Sequence, residues 1–155
     1  MTDQAKYIWF NGKVINWNDA QVHVMSHALH YGTSVFEGIK CYKTKDGPII
    51  FRLKDHIDRL FESANKYKIE IPFEKSDLYF ACIDVVNKNK LENCYIRPVV
   101  FYGYDTLGVH PKNCPVSVAI ASFYWGAYLG DSGLTNGVRV KISPIKKYSN
   151  DSFIS

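Results

Sequence analysis

The sequence predicts an α+β fold: a small domain with a mainly antiparallel sheet and two helices. Runs of strand-like alternation surround two stretches of helical period, and Asn-Gly and Asp-Gly pairs separate neighbouring strand candidates. A doubly wound parallel sheet would need regular strand–helix alternation, which is absent. The 155 residues make one domain, with a short piece of a second.

Tyr7–Phe10 and Val14–Trp17 flank Asn11-Gly12, a pair that tolerates the positive φ of a tight hairpin. A second hairpin is expected from Val35 to Tyr42, a turn over Thr44–Gly47, and Ile49–Phe51. From Leu53 the period changes. Leu53, Ile57, Leu60, Phe61 and Ala64 recur at helical spacing, and Pro72 stops anything continuing past Ile71. A second helix is expected to be N-capped by Ser76, with Asp77 in its first turn and Tyr79, Cys82, Ile83 and Val86 buried, ending around Asn87 to Lys90.

Two further strands are expected over Cys94–Tyr102 and Val116–Phe123. Pro98 cannot donate a ladder bond, which predicts that the first of them lies at an edge or bulges. Gly126, Gly130, Gly133 and Gly137 make the next stretch a connector, after which Val138–Ile142 alternates like the first strand of a second, truncated domain. The expected boundaries are 1–123 for the small domain, 124–136 for the interdomain loop and 137–155 for the start of a large domain.

With 46% apolar and 22% charged residues, the composition excludes a disordered tail, a collagen and a coiled coil. No apolar run is long enough to span a membrane, and the start lacks a signal peptide's basic and greasy segments, so a cytoplasmic protein is expected. The net charge of +4 is spread along the chain, and the aromatics follow no RNA-binding signature, so nucleic acid is not an expected partner. Cys41, Cys82, Cys94 and Cys114 include no C-x-x-C pair and read as buried thiols. His23, His27 and His30 have helical spacing but no helical apolar period and no accompanying carboxylate, so no metal is expected.

Arg52, His56, Arg59 and Ser63 lie along one flank of the first long helix. That flank is either a solvated face or a place for an anion, with Arg59 as a planar fork suited to a phosphate. Tyr95 and Arg97 share one strand face and make either a surface pair or a carboxylate clamp. The Tyr31–Gly38 segment mixes glycines with aromatics, as a plain turn or a pocket wall would.

The segments Val22–Gly32, Ser34–Ile39, Tyr95–Pro98 and Trp125–Gly130, in order and with natural spacing, closely resemble the bacterial branched-chain amino acid aminotransferases, pyridoxal-phosphate enzymes of fold type IV. The resemblance runs from Tyr7 to about Tyr148. It implies transfer of the amino group between leucine, isoleucine or valine and 2-oxoglutarate, with glutamate as the other amino donor, and the cofactor held by a lysine. It implies that Arg59 binds the cofactor phosphate and that Tyr31, Phe36, Gly38, Tyr95, Arg97, Trp125 and Tyr128 line the substrate pocket. Leu107, Gly108 and Val109 match a loop that reaches the neighbouring subunit's site, which implies a homodimer. D-amino acid aminotransferases and aminodeoxychorismate lyases share this fold; Arg97 with the Trp125–Tyr128 loop favours the branched-chain group. The lysine-bearing segment of the family has no counterpart up to Ser155. No catalytic residue is therefore assigned, and the expectation is an N-terminal half that is inactive alone, with a non-catalytic binding module as the alternative.

Overall fold

The computed structural model describes residues 5–126, 130–147 and 149. It divides into two units, 1–124 and 125–155, which are treated separately. The first unit holds a seven-stranded sheet of β1 (Tyr7–Phe10), β2 (Lys13–Asn16), β3 (Ser34–Phe36), β4 (Ile39–Thr44), β5 (Gly47–Ile50), β6 (Cys94–Tyr102) and β7 (Val116–Phe123). The spatial order is β2-β1-β7-β6-β4-β5, and β3 also pairs with β6; every pairing is antiparallel. The helices of this unit are the short α1 (His27–Tyr31), α2 (Leu53–Lys66) and α3 (Lys75–Lys88).

Strand alternation divides the sheet into two faces. On β6, Cys94, Ile96, Pro98 and Val100 are buried, whereas Tyr95, Arg97, Val99 and Phe101 are half-buried on the opposite face. The buried face joins Leu53, Ile57, Leu60 and Ala64 of α2 and Leu78, Cys82, Val85 and Val86 of α3 in one core. The open face carries Phe36, opposite Val99, and Phe123, opposite Tyr95.

The first hairpin turns at Asn11 and Gly12, both at positive φ (46° and 91°), as a primed turn requires. The second expected hairpin forms, β4 pairing with β5 across the turn over Thr44–Gly47, but its first strand is cut in two: β3 and β4 both pair with β6, and Glu37 and Gly38 separate them. That break corrects the edge-strand expectation, because β6 is central. Pro98 pairs with Ile120 of β7, and its carbonyl accepts the Glu37 N–H at 3.0 Å. Its missing N–H therefore faces the gap between β3 and β4, where no ladder partner is lost.

The end of α2 and the start of α3 also differ from expectation. The α2 helix stops at Lys66, five residues before Ile71. Lys68 adopts φ 55°, and Ile69 N–H returns to Ala64 carbonyl at 2.9 Å in a Schellman closure. The N-cap of α3 is Glu74, not Ser76. Glu74 accepts from the Asp77 backbone and Asp77 Oδ2 accepts from Glu74 N–H at 2.9 Å, an acid–acid version of the capping box. Within α3, Leu78, Ala81 and Val85 are buried, while Tyr79 and Ile83 sit half-buried at its margin.

In the second unit a six-residue helix, α4 (Asp131–Asn136), occupies part of the expected connector. Residues 138–142 are exposed and unpaired, so the alternation of Val138–Ile142 does not form a strand here. Extended chain becomes a strand only when a neighbour completes its ladder. Among the described residues no helix is long and apolar enough to cross a membrane.

Candidate functional site

The segment from Tyr31 to Gly38 links α1 to β4 and turns successive side chains to different surroundings. Phe36 projects onto the open sheet face and is 58% exposed. Glu37, next in the chain, is 5% exposed and points toward α2. Gly38 lies against Tyr95: a Cβ there would collide with the Tyr95 hydroxyl and stand 3.0 Å from Tyr95 Cζ.

On the open face, the Arg97 guanidinium lies over the Phe36 ring with Cζ 4.3 Å from its centre. Its Nη2 donates to Tyr95 Oη at 2.8 Å. Arg97 Nε is buried with no hydrogen-bond partner among the described residues. A buried guanidinium N–H without an acceptor is costly, and the cation as a whole is suited to a carboxylate. Phe36, Gly38, Tyr95 and Arg97 therefore come together, Arg97 over Phe36 and Tyr95 against both Arg97 and Gly38.

On the helix side, Arg59 and His56 converge on Glu37. Arg59 Nε donates to Glu37 Oε1 at 2.6 Å and Nη2 to Oε2 at 2.7 Å, a side-on bidentate pair. His56 Nδ1 stands 2.9 Å from Glu37 Oε2 and 3.2 Å from Arg59 Nη2. A carboxylate accepts only, so Nδ1 carries its proton toward Glu37, and its approach to Nη2 is then contact rather than hydrogen bond. Burial pushes the Glu37 carboxyl up, but the bonds and charges of Arg59 and His56 prevail and hold it below the usual glutamate range. The same carboxylate raises the Arg59 pKa.

The polar flank read from the sequence does hold an anion, and the anion is the chain's own Glu37. Arg52 does not join that flank. It sits in the left-handed region before α2 (φ 48°), and its Nε bonds Asp55 at 2.9 Å. Glu37 is the site residue that the sequence reading does not single out. Its signal is nonetheless present: one acid within a short apolar strand segment, facing a helix flank that carries a histidine and an arginine.

The loop after β6 is tied to α1 within the same chain. Tyr31 Oη donates to Leu107 carbonyl at 2.8 Å, and buried His27 bonds Gly108 carbonyl through Nε2 at 3.0 Å and Thr33 Oγ1 through Nδ1 at 2.9 Å. The carbonyl can only accept, so Nε2 carries a proton. Val109 is 81% exposed beside these anchors. His23 stacks on Tyr104 with ring centres 4.4 Å apart. No group of His, Cys, Asp and Glu among the described residues is arranged to hold a metal. Trp125 opens the second unit, and Tyr128 lies outside the described residues.

Comparison with known proteins gives this geometry a family. The family model for amino-transferase class IV matches residues 34–153. A branched-chain-amino-acid aminotransferase of Escherichia coli (strain K12) is 50% identical over 143 residues, which is 92% of this chain and 46% of that protein. That of Pseudomonas aeruginosa is 42% identical over 148 residues, covering 96% of this chain and 48% of that one. The chain thus spans about half the length of these curated relatives.

Among solved structures, an Escherichia coli branched-chain amino acid aminotransferase superposes with a TM-score of 0.92 at 46% identity, over 97% of this chain and 50% of that chain. A T.th. branched-chain amino acid aminotransferase complexed with N-(5'-phosphopyridoxyl)-L-glutamate gives 0.77 at 49% identity, over 80% of this chain and 42% of that chain. On the family match, the identities and the shared fold, this chain belongs to the class IV aminotransferase family.

Proposed function

We infer that the whole protein is a cytoplasmic, pyridoxal-phosphate-dependent branched-chain-amino-acid aminotransferase, and that residues 1–124 supply one wall of its active site. The observation that carries this reading is the pair of cationic groups on either side of the Phe36–Gly38 turn. Arg59 meets the turn from α2 and Arg97 meets it from β6. Transamination of a leucine-like substrate against glutamate needs both a phosphate anchor and a cation for the distal carboxylate, set among apolar walls.

The residues present fit the cofactor's phosphate. Arg59 is 62% exposed, and its Nη1 makes no hydrogen bond among the described residues, so one edge of its fork stays open to a second anion. Pyridoxal phosphate, where bound, supplies the electron sink that lets an amino group move between carbon skeletons. Phe36 gives an apolar wall to a branched side chain, and Arg97, with its neighbour Tyr95 and with Tyr31 as a further hydroxyl, holds the distal carboxylate of glutamate or 2-oxoglutarate. The residues 107–109 extend toward the corresponding site of a second copy in a homodimer, a reading supported by exposed Val109 on anchored backbone.

The deciding experiment is a substrate panel on the whole protein with added pyridoxal phosphate. Leucine, isoleucine and valine are expected to be turned over with 2-oxoglutarate and D-alanine to be inert. Strong D-alanine turnover would exclude the branched-chain assignment. The 155 residues alone are expected to bind no cofactor covalently; stoichiometric borohydride labelling of a lysine within them would overturn that expectation.

A further inference from the structure

We propose that Glu37 is a positioning residue that orients Arg59 toward the phosphate of the cofactor and fixes the spacing between the cofactor end and the substrate-carboxylate end of the site. The inference rests on the reading of Arg59 as the phosphate anchor. It goes beyond that reading, because it assigns a role to an acid that would otherwise only diminish the anchor's positive charge.

Three features of the structure converge on this role. Arg59 projects from α2 with its side chain largely exposed, so an unrestrained guanidinium would sample many rotamers and lose entropy on gripping a ligand. Glu37 removes that freedom by binding the Nε and Nη2 edge, which leaves the Nη1 edge as the free one. The carboxylate is itself held, by His56 Nδ1 at 2.9 Å and by burial, and its backbone N–H is fixed to Pro98 carbonyl at 3.0 Å.

The third of these contacts connects the two ends of the site. Phe36, Glu37 and Gly38 are consecutive. The first lies under the Arg97 guanidinium, the second holds Arg59, and the third fits against Tyr95. Pro98, which receives the Glu37 N–H, follows Arg97 directly. Two cations on different elements are thus referenced to one rigid tripeptide. A ligand with a phosphate at one end and a carboxylate at the other needs that spacing to be constant.

Charge and position give opposite forecasts for a neutral replacement. If Glu37 mattered only through its charge, Glu37→Gln would strengthen phosphate binding by unmasking Arg59. As a positioning residue, its loss weakens binding, because the Gln amide turns a donor toward donors. The probes are pyridoxamine 5'-phosphate and phosphate-free pyridoxamine, titrated by absorbance and intrinsic fluorescence into the apo form of the whole protein. Glu37→Gln is expected to weaken the phosphorylated probe by about tenfold, the scale of one charge-assisted hydrogen bond, and to leave pyridoxamine within about twofold.

Glu37→Asp keeps the charge but withdraws the carboxylate by one methylene, and is expected to weaken the phosphorylated probe in the same direction; it decides the matter if Glu37→Gln does not fold. Unchanged or tighter binding of that probe in either folded variant overturns the proposal, as does an equal loss for both probes, which marks a merely structural acid. Arg59→Ala separates the two layers. If it keeps the wild-type preference for the phosphorylated probe, the reading of Arg59 falls and takes this inference with it. If it loses that preference while the Glu37 variants keep theirs, only the inference falls.

Discussion

The Arg97 guanidinium is stacked on Phe36, with Cζ 4.3 Å from the ring centre, while Nη2 donates to Tyr95 Oη at 2.8 Å. Ring and phenol together hold the fork, yet Nε stays buried and unbonded among the described residues. A carboxylate arriving at the guanidinium gains a charge-assisted bond, a contribution that an apolar side chain cannot make. In the whole protein, Arg97→Met is therefore expected to raise KM for 2-oxoglutarate by about ten- to a hundredfold, the range of a hydrogen bond to a charged group. KM for leucine should move by less than about threefold. Equal losses for both substrates would remove Arg97 from carboxylate recognition.

Gly38 is set by space rather than by backbone angle, since a side chain there would strike the Tyr95 hydroxyl. Gly38→Ala is expected to drive the Tyr95 ring away and break its bond to Arg97. The cost should be about 1–3 kcal/mol of stability, as for other overpacked sites. Urea unfolding measures it. Tyr95→Phe in the same background should recover part of the loss, because it removes the colliding oxygen.

The fold was legible where local pattern and tertiary environment agree. Cys94–Tyr102 and Val116–Phe123 are strands in the sequence reading and in the structure, because each alternates on one buried face. It was less legible where one residue serves a distant partner. Pro98 signals an edge by itself, and only the break at Glu37 and Gly38 explains its central place. Lys68 and Lys90 end helices in a conformation that usually selects glycine or asparagine, so neither announces a C-terminus. In the site, Arg59 and Arg97 stood out as cations in patterned elements, whereas Glu37 gains meaning only once α2 lies beside the β3–β4 break.

Asn89 shows what such long-range pairing does for stability. Its Oδ1 accepts the N–H groups of Lys6 at 3.0 Å and Tyr7 at 2.9 Å, and its Nδ2 donates to Tyr7 carbonyl, Val85 carbonyl and Ser122 Oγ. One side chain thus joins the end of α3 to β1 and β7. Asn89→Ala is expected to cost about 2–4 kcal/mol, because partly buried backbone groups lose their partners together. Asn89→Asp, which cannot donate, should fall between wild type and Ala. A change below about 0.5 kcal/mol in a urea titration would show that water replaces those bonds at little cost.

The Glu37 cluster predicts an acid limb. Its folded-state pKa lies below the ordinary value of 4.5. The unfolded chain therefore takes up the proton first, and the stabilisation is fully present above about pH 4.5 and is lost as pH falls through the folded-state value. Asp58, bonded to Lys54 and Lys75, is pulled down from 3.8 to about 2 by those hydrogen bonds, so its share is lost as pH falls between those two values. Between about pH 6 and pH 3 the urea midpoint of the wild type should drop, and that of Glu37→Gln should drop less. Parallel curves would show that the carboxylate contributes no pH-linked stability.

Both long helices of the first unit close with a lysine in the left-handed region, Lys68 at φ 55° and Lys90 at φ 54°. The hydrogen bonds are those of a Schellman motif: Lys68 N–H reaches Asn65 carbonyl at 2.9 Å and Lys90 N–H reaches Asn87 carbonyl at 3.0 Å, while Ile69 and Leu91 donate back to Ala64 and Val86. A Cβ at this conformation costs about 1–2 kcal/mol, which glycine avoids, although glycine gives back part of the gain by loosening the unfolded chain. Neither lysine side chain belongs to the site around Glu37, and Tyr102 Oη donates to the backbone carbonyl of Lys68, which a substitution retains. Lys68→Gly and Lys90→Gly should therefore each raise stability by about 0.5–1 kcal/mol, and together by the sum, because they end different helices and share no bonding partner. A destabilised Lys90→Gly beside a stabilised Lys68→Gly would point to packing by the Lys90 aliphatic stem that outweighs its backbone strain.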